Sequence, residues 1–169
     1  MVAAITPEIR ANQVLNTYWD GKLPVDVEAI STRAGIKVQR KLPKIDEETG
    51  YEISGRIDTD SQGNRIITVS STDPLNRQRF TIAHELGHHF MEHGDRHRKD
   101  TFIINIKDPQ ERQKEWEANE FAAALLMPKQ TLGLVLDKMD NPTISKFAQV
   151  FEVSEQAMRI RLQRLGMIG

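Results

Sequence analysis

No cysteine occurs in the 169 residues. Disulfides and thiolate metal sites are thereby excluded, so any metal has to be held by histidine and carboxylate. The absence also fits a reducing compartment. An excess of either charge is lacking too. The 23 basic residues stand against 24 acidic ones, a net charge of −1, so no global field announces nucleic acid or an anionic membrane surface. Apolar runs are short: none approaches the ~20 residues needed to span a bilayer. The opening MVAAITPEIR is too poor in apolar residues for a signal peptide. A cytoplasmic location is expected, with no membrane partner. Repeats and low-complexity tracts are absent. What remains, 38 % apolar and 28 % charged, is ordinary for a globular chain and too apolar for a disordered one. The length fits one domain with a small appended helical lobe.

Helices open and close the chain. Thr6 caps a first one, with Pro7 at its first position. A second runs from Pro24 to Ala34 and stops at Gly35. The segments Ile36 to Leu42, Tyr51 to Thr59 and Arg65 to Ser71 read as three strands, separated by the turn-rich PKIDEETG and DSQGN. Asp73-Pro74 starts the next helix, which ends near Gly94. The following DRHRKDTFIINIKD reads as a loop with a short extended piece. Asp108 caps another helix, with Pro109 first and Glu111 at the capping-box spacing, and it runs to Pro128. Lys129 to Lys138, TISKFAQVF and SEQAMRIRLQRLG complete the chain as helices. Strands grouped between helices predict an α+β fold with a small three-stranded antiparallel sheet.

The chain has five histidines, and four of them, His84, His88, His89 and His93, fall within ten residues of RFTIAHELGHHFMEHG. On a helix, residues four apart lie ~40° apart around the axis and ~6 Å along it. His84 and His88 therefore project from one face, close enough for two imidazole nitrogens to share one ion. Glu85 sits beside that face, where it could relieve a polarised water of its proton. The pattern H-E-x-x-H is a zinc-hydrolase signature with this mechanical reading. Chance alone also yields the pentad on an amphipathic surface helix. The buryable stripe Phe80, Ala83, Gly87 and Phe90 favours the metal site.

A catalytic zinc usually takes three protein ligands and keeps a fourth position for water. The metzincin pattern is excluded, because Met91 and Gly94 stand where its glycine and third histidine belong. His89 points ~100° around the helix from His88, which suits a rim or packing residue. His93 and His97 are rotated away or distant. The better candidate lies downstream in EWEANEFAAALLMP. Glu115 and Asn119 share a helix face that Ala122, Ala123 and Leu126 continue inward. A carboxylate on that buried side is costly unless paired or metal-bound. Asn119, one turn on, is placed to hydrogen-bond a ligand histidine and fix its tautomer. Glu117 is the competing acid, and a helix with a solvated acidic end is the plain alternative.

RFTIAHELGHHFMEHG, followed 27 residues after His88 by EWEANEFAAALLMP, resembles the ImmA/IrrE family of cytoplasmic metallopeptidases. PVDVEAISTRAGIKV, GRID, RIITVSS and FEVSEQAMRIRLQRLG are similar in kind and order, so the likeness spans most of the chain. It implies a compact zincin-like domain, a small sheet beside two ligand-bearing helices, over residues 1–140. It further implies that His84, His88 and Glu115 hold the metal (zinc, with manganese as the alternative) and that Glu85 is the general base. Asn119 would support a ligand histidine. The family's characterised members act on helix-turn-helix repressors, cleaving or disabling them. The implied function is a zinc-dependent endopeptidase acting on a repressor of a mobile element, prophage, toxin–antitoxin or stress operon. One departure is His89, at a position where the family is expected to carry an aromatic or aliphatic residue. His89 and Tyr51 are both candidates for steadying an oxyanion.

Residues 141–169 read as a C-terminal helical lobe packed on that domain, and ISKFAQVFEVSEQAMRIRLQRL resembles a helix-turn-helix. Arg159, Arg161 and Arg164 give the last helix a basic side. From Pro142 to Gly169 four basic residues stand against two acidic, a net of +2, modest beside what phosphate contacts require. Packing or partner docking is favoured over DNA binding. The rival to the peptidase is a non-proteolytic repressor- or DNA-binding regulator with a structural or vestigial metal site. Glu85 separates the two, because a structural site has no use for a carboxylate beside the ion.

Overall fold

A computed structural model describes residues 3–99 and 106–169. Seven helices and five strands are found among the described residues. The first helix, α1 (Pro7–Tyr18), starts where Thr6 Oγ1 accepts from the Ile9 amide. The second, α2 (Val27–Arg33), starts later than its sequence suggests, because Asp26 rather than a residue near Pro24 caps it. Then come β1 (Lys37–Lys41), β2 (Lys44–Ile45), β3 (Glu52–Thr59) and β4 (Arg65–Ser70). The metal-motif helix α3 (Leu75–Phe90) is followed by β5 (Arg96–Lys99), α4 (Pro109–Leu126), α5 (Lys129–Lys138), α6 (Ile144–Phe151) and α7 (Glu155–Arg164). The extended piece expected between Asp95 and Asp108 falls partly outside the described residues.

The α+β class holds, but the three-stranded antiparallel sheet does not. The sheet has five strands, in the order β1-β4-β3-β2 with β5 on β3. β4 lies between β3 and β1, antiparallel to the first and parallel to the second. The reason lies in burial. Ile67, Thr68, Val69 and Ser70 are buried in succession, which a strand covered on both faces requires and an edge strand does not. The two extra strands come from segments too short or too polar to show alternation: β2 is two residues within the turn-rich stretch, and β5 reads RHRK.

One cluster of buried apolar side chains runs through the fold, from Ala11 on α1 to Leu162 on α7. The C-terminal helices α6 and α7 meet at Glu152, which takes the left-handed φ of 49°. Phe147, Phe151, Val153, Met158 and Leu162 enter the shared core. Arg79 of α3 caps this turn by donating to the carbonyls of Glu152 (3.2 Å) and Phe151 (3.4 Å). The lobe's likeness to a helix-turn-helix remains one of sequence. Arg161, grouped with a basic outer side by its sequence, is only 4 % exposed. It is committed to Glu8 through two contacts of 2.8 and 2.9 Å and to the Met127 carbonyl at 3.1 Å.

Candidate metal centre

The histidine helix packs against α4 at a point made of small residues. A Cβ on Gly87 would come within 3.0 Å of the Ala118 Cα and carbonyl oxygen and 3.2 Å of Phe121. A methyl there would be tighter than ordinary van der Waals contact, and α4 would have to give by a few tenths of an ångström to admit it. Glu115 lies one turn before Ala118, so this close crossing carries its carboxylate to the histidine pair.

The result is a convergence of three side chains. His84 Nε2 and His88 Nε2 lie 3.0 Å apart. Glu115 Oε2 lies 3.0 Å from His84 Nε2, and Oε1 lies 3.1 Å from His88 Nε2. The histidines are 1 % and 0 % exposed. Burial pushes the Glu115 carboxyl upward, but the hydrogen bonds and charges of His84 and His88 outweigh it and hold the group well below the usual carboxylate range. Among the described residues, these three form the one group of histidine, cysteine, aspartate or glutamate side chains whose ligand atoms converge closely enough for an ion.

The donor set fits a zinc ion on its chemistry. Two imidazole nitrogens and a carboxylate are borderline ligands of the kind zinc takes in catalytic sites. Tetrahedral ligands ~2.0–2.1 Å from a zinc lie about 3.3 Å from one another. The separations here are a few tenths of an ångström shorter, so an entering ion requires only a slight spreading. Two Nε2 atoms facing one another at hydrogen-bond distance need a proton or a cation between their lone pairs.

Around this trio the supports differ. Asn119 Oδ1 lies 2.7 Å from His84 Nδ1, so the carboxamide accepts the Nδ1 proton and leaves the Nε2 lone pair free. Glu85 is fully buried on the side of α3 that meets β3. A Cβ at Gly55 would come within 2.3 Å of the Thr81 methyl and 3.5 Å of Glu85 Oε1, so a glycine on β3 lets the strand approach the carboxylate. Glu117, the competing acid, is not in the trio; its Oε2 lies 2.8 Å from His93 Nε2. His93 in turn places Nδ1 2.9 Å from His88 Nδ1. This link is the part of the site that helical spacing could not find, since His93 lies beyond the end of α3. The signal available was the histidine itself, one residue before Gly94 at the close of the motif.

The two oxyanion candidates are not among the three converging ligands. His89 is half-buried edge-on against Phe90, with ring centroids 4.9 Å apart. Burial, helped by the charge of Arg65, pushes its imidazole down. Tyr51 is 54 % exposed just before β3. The side chain of His97 lies outside the description. Beside the centre, a cleft of about 530 Å³ runs between α3, α4 and α7. Phe80, Asn119, Ala123, Met127 and Ile160 are among its lining residues.

Two helices thus bring two histidines and a glutamate around one point, an arrangement that could hold a divalent metal ion. The chain belongs to the peptidase M78 family, the IrrE N-terminal-like domain, whose model matches residues 32–163. Membership implies a zinc metallopeptidase-like function. No curated protein matches the chain.

Proposed function

We propose that the chain is a zinc-dependent endopeptidase whose substrate is a helix-turn-helix transcriptional repressor in the cytoplasm, of the kind that silences a mobile element, prophage, toxin–antitoxin or stress operon. The observation that carries the hydrolytic reading is the meeting of His84, His88 and Glu115, with Glu85 buried on the same helix one residue from His84. The repressor rests on the likeness of RFTIAHELGHHFMEHG and EWEANEFAAALLMP to the ImmA/IrrE family. No helix among the described residues is long and apolar enough to cross a membrane, and the absence of cysteine agrees with a reducing compartment.

A zinc ion bound there would supply Lewis acidity toward water and toward the scissile carbonyl. The chain's residues do the rest. His84 and His88 present their Nε2 lone pairs, and Glu115 contributes negative charge that stays ionised. Glu85 takes a proton from the attacking water onto its carboxylate and returns it to the amide nitrogen as the C–N bond breaks. The water oxygen ends on the new carboxyl group and the proton on the new amine. Ile160, 41 % exposed, lines the cleft beside Asn119, and Arg161 is consumed by Glu8. Both features support a substrate-docking role for α7 over contact with DNA.

The test uses the purified chain, a candidate repressor and zinc, with and without chelator, read by mass spectrometry of the products. Cleavage by the parent chain should stop on chelation. Glu85→Gln should keep zinc and fold while losing at least ~100-fold in cleavage rate, the usual contribution of a general base. Equal cleavage by the variant would refute the mechanism. Release of the repressor from its operator without cleavage, by both proteins, would favour a non-proteolytic regulator.

A further inference from the structure

The end of α3 takes a shape its sequence does not favour. After Met91 the chain turns at Glu92 with φ 62°, a left-handed conformation normally given to glycine. Two backbone hydrogen bonds close the turn: the Glu92 amide donates to the His89 carbonyl (3.1 Å) and the His93 amide to the His88 carbonyl (2.8 Å). The consequence is that His93 folds back against His88. The two residues are joined twice, once through the backbone and once through their rings, Nδ1 to Nδ1 at 2.9 Å. The far nitrogen of His93 meets Glu117 Oε2 at 2.8 Å. The other oxygen of Glu117 accepts from Gln113 Nε2 at 3.2 Å. His93's side chain is 6 % exposed.

Only one arrangement of protons leaves His88 able to hold a cation. Two facing Nδ1 atoms need one proton between them. If that proton belongs to His88, its Nε2 lone pair is free toward Glu115 and His84. His93 then accepts at Nδ1, carries its own proton on Nε2, and donates it to the Glu117 carboxylate. Every donor has an acceptor. In the reverse order the proton of a neutral His88 sits on Nε2 and blocks the point where the three ligands meet.

We propose that His93, backed by Glu117, is a positioning residue that fixes the tautomer and orientation of His88. It would do on one side of the pair what Asn119 does for His84 on the other. The inference deepens the metallopeptidase reading and rests on it.

Zinc affinity tests it, by competition with a chromophoric chelator on the full chain. His93→Phe keeps an aromatic ring of similar size and removes the acceptor. His93→Asn keeps an acceptor oxygen near the Nδ1 position. Loss of a support of this kind typically weakens binding by about 10- to 100-fold, which is the effect expected for His93→Phe. His93→Asn should recover most of that loss, and Glu117→Gln should fall between the parent and His93→Phe. Long-range ¹H–¹⁵N spectra of the zinc-free parent at alkaline pH should already place the His88 proton on Nδ1. That readout needs no variant and keeps the inference falsifiable if His93→Phe fails to fold, since a proton on Nε2 would overturn it. Parent-like zinc affinity in His93→Phe, or no rescue by His93→Asn, would overturn the inference while leaving the peptidase reading intact. A parent that binds no zinc would sink both.

Discussion

At the scale of single residues, the centre divides into positions that helical spacing reveals and positions that it cannot. His84 and His88 were legible because a four-residue interval maps directly onto one face of a helix. Glu115 was legible because an acid on a buried helix face needs a partner. His93 was not, since its place is set by a backbone turn and not by helical period. The residue chemistry predicts how acid acts. Protons compete with the ion for two imidazole nitrogens, and only neutral rings bind. Glu115 is held well below the usual carboxylate range by the histidine pair, so it stays ionised through the pH range in which imidazoles ordinarily take up a proton. Lowering the pH from the ordinary histidine range toward the ordinary carboxylate range, roughly 6.5 to 4.5, should therefore displace two protons' worth of binding. The logarithm of zinc affinity should fall by about 2 per pH unit once both rings titrate. Competition titrations at several pH values measure the slope. A slope near three would mean that Glu115 shares in the protonation, and a flat line would remove histidine from the coordination sphere.

Among elements, the decisive contact is the crossing of α3 and α4. Five of the seven helix starts among the described residues are marked by side-chain caps: Thr6, Asp26, Asp108, Thr143 and Ser154 each accept a hydrogen bond from a backbone amide in the first turn. Strand order could not be read, because nothing local in β3 or β4 states which neighbour it pairs with. The parallel β1–β4 pair joins residues nearly thirty positions apart. The helix crossing was likewise hidden, since Gly87, placed on the buryable stripe, is by propensity a weakness in the helix and does not by itself read as the reason two helices approach. Gly87→Ala separates these readings. By helix propensity alone it should stabilise the chain by up to ~1 kcal/mol. The added methyl instead meets backbone of Ala118 at 3.0 Å, and overpacking of this kind costs ~1–3 kcal/mol. The expected result is a lower thermal midpoint together with weaker zinc binding, since the same displacement draws Glu115 away from the histidines. A stabilised variant with parent zinc affinity would show that the helices are not held by this contact.

For the molecule as a whole, the family match and the folded unit are not the same length. The match begins at residue 32, yet Val14, Leu15, Val25, Val27 and Ile30 before it are between 0 and 6 % exposed and belong to the one core cluster. Helix α1 packs along α4, the helix that supplies Glu115. Glu8 holds the Arg161 guanidinium, which is 4 % exposed, at 2.8 and 2.9 Å. Removing residues 1–31 thus has three effects at once: the apolar back of α4 meets water, a buried arginine loses its carboxylate, and the C-terminal helices lose their tie to the front of the chain. Each large apolar side chain taken from a core is worth ~1.5–3 kcal/mol, so five of them amount to roughly 10 kcal/mol, which is comparable to the whole stability of an ordinary domain. Arg161 also loses its carboxylate partner, a smaller cost than in a fully buried pair because the Glu8 side chain is 38 % exposed. A fragment spanning residues 32–163 should therefore fail to show a cooperative thermal transition and should bind zinc far more weakly than the full chain, although it retains every ligand. Calorimetry and chelator competition on the fragment and the full chain measure both. Parent-like melting and zinc affinity in the fragment would mean that the matched segment builds the metal centre alone and that the packing of α1 against α4 is dispensable to it.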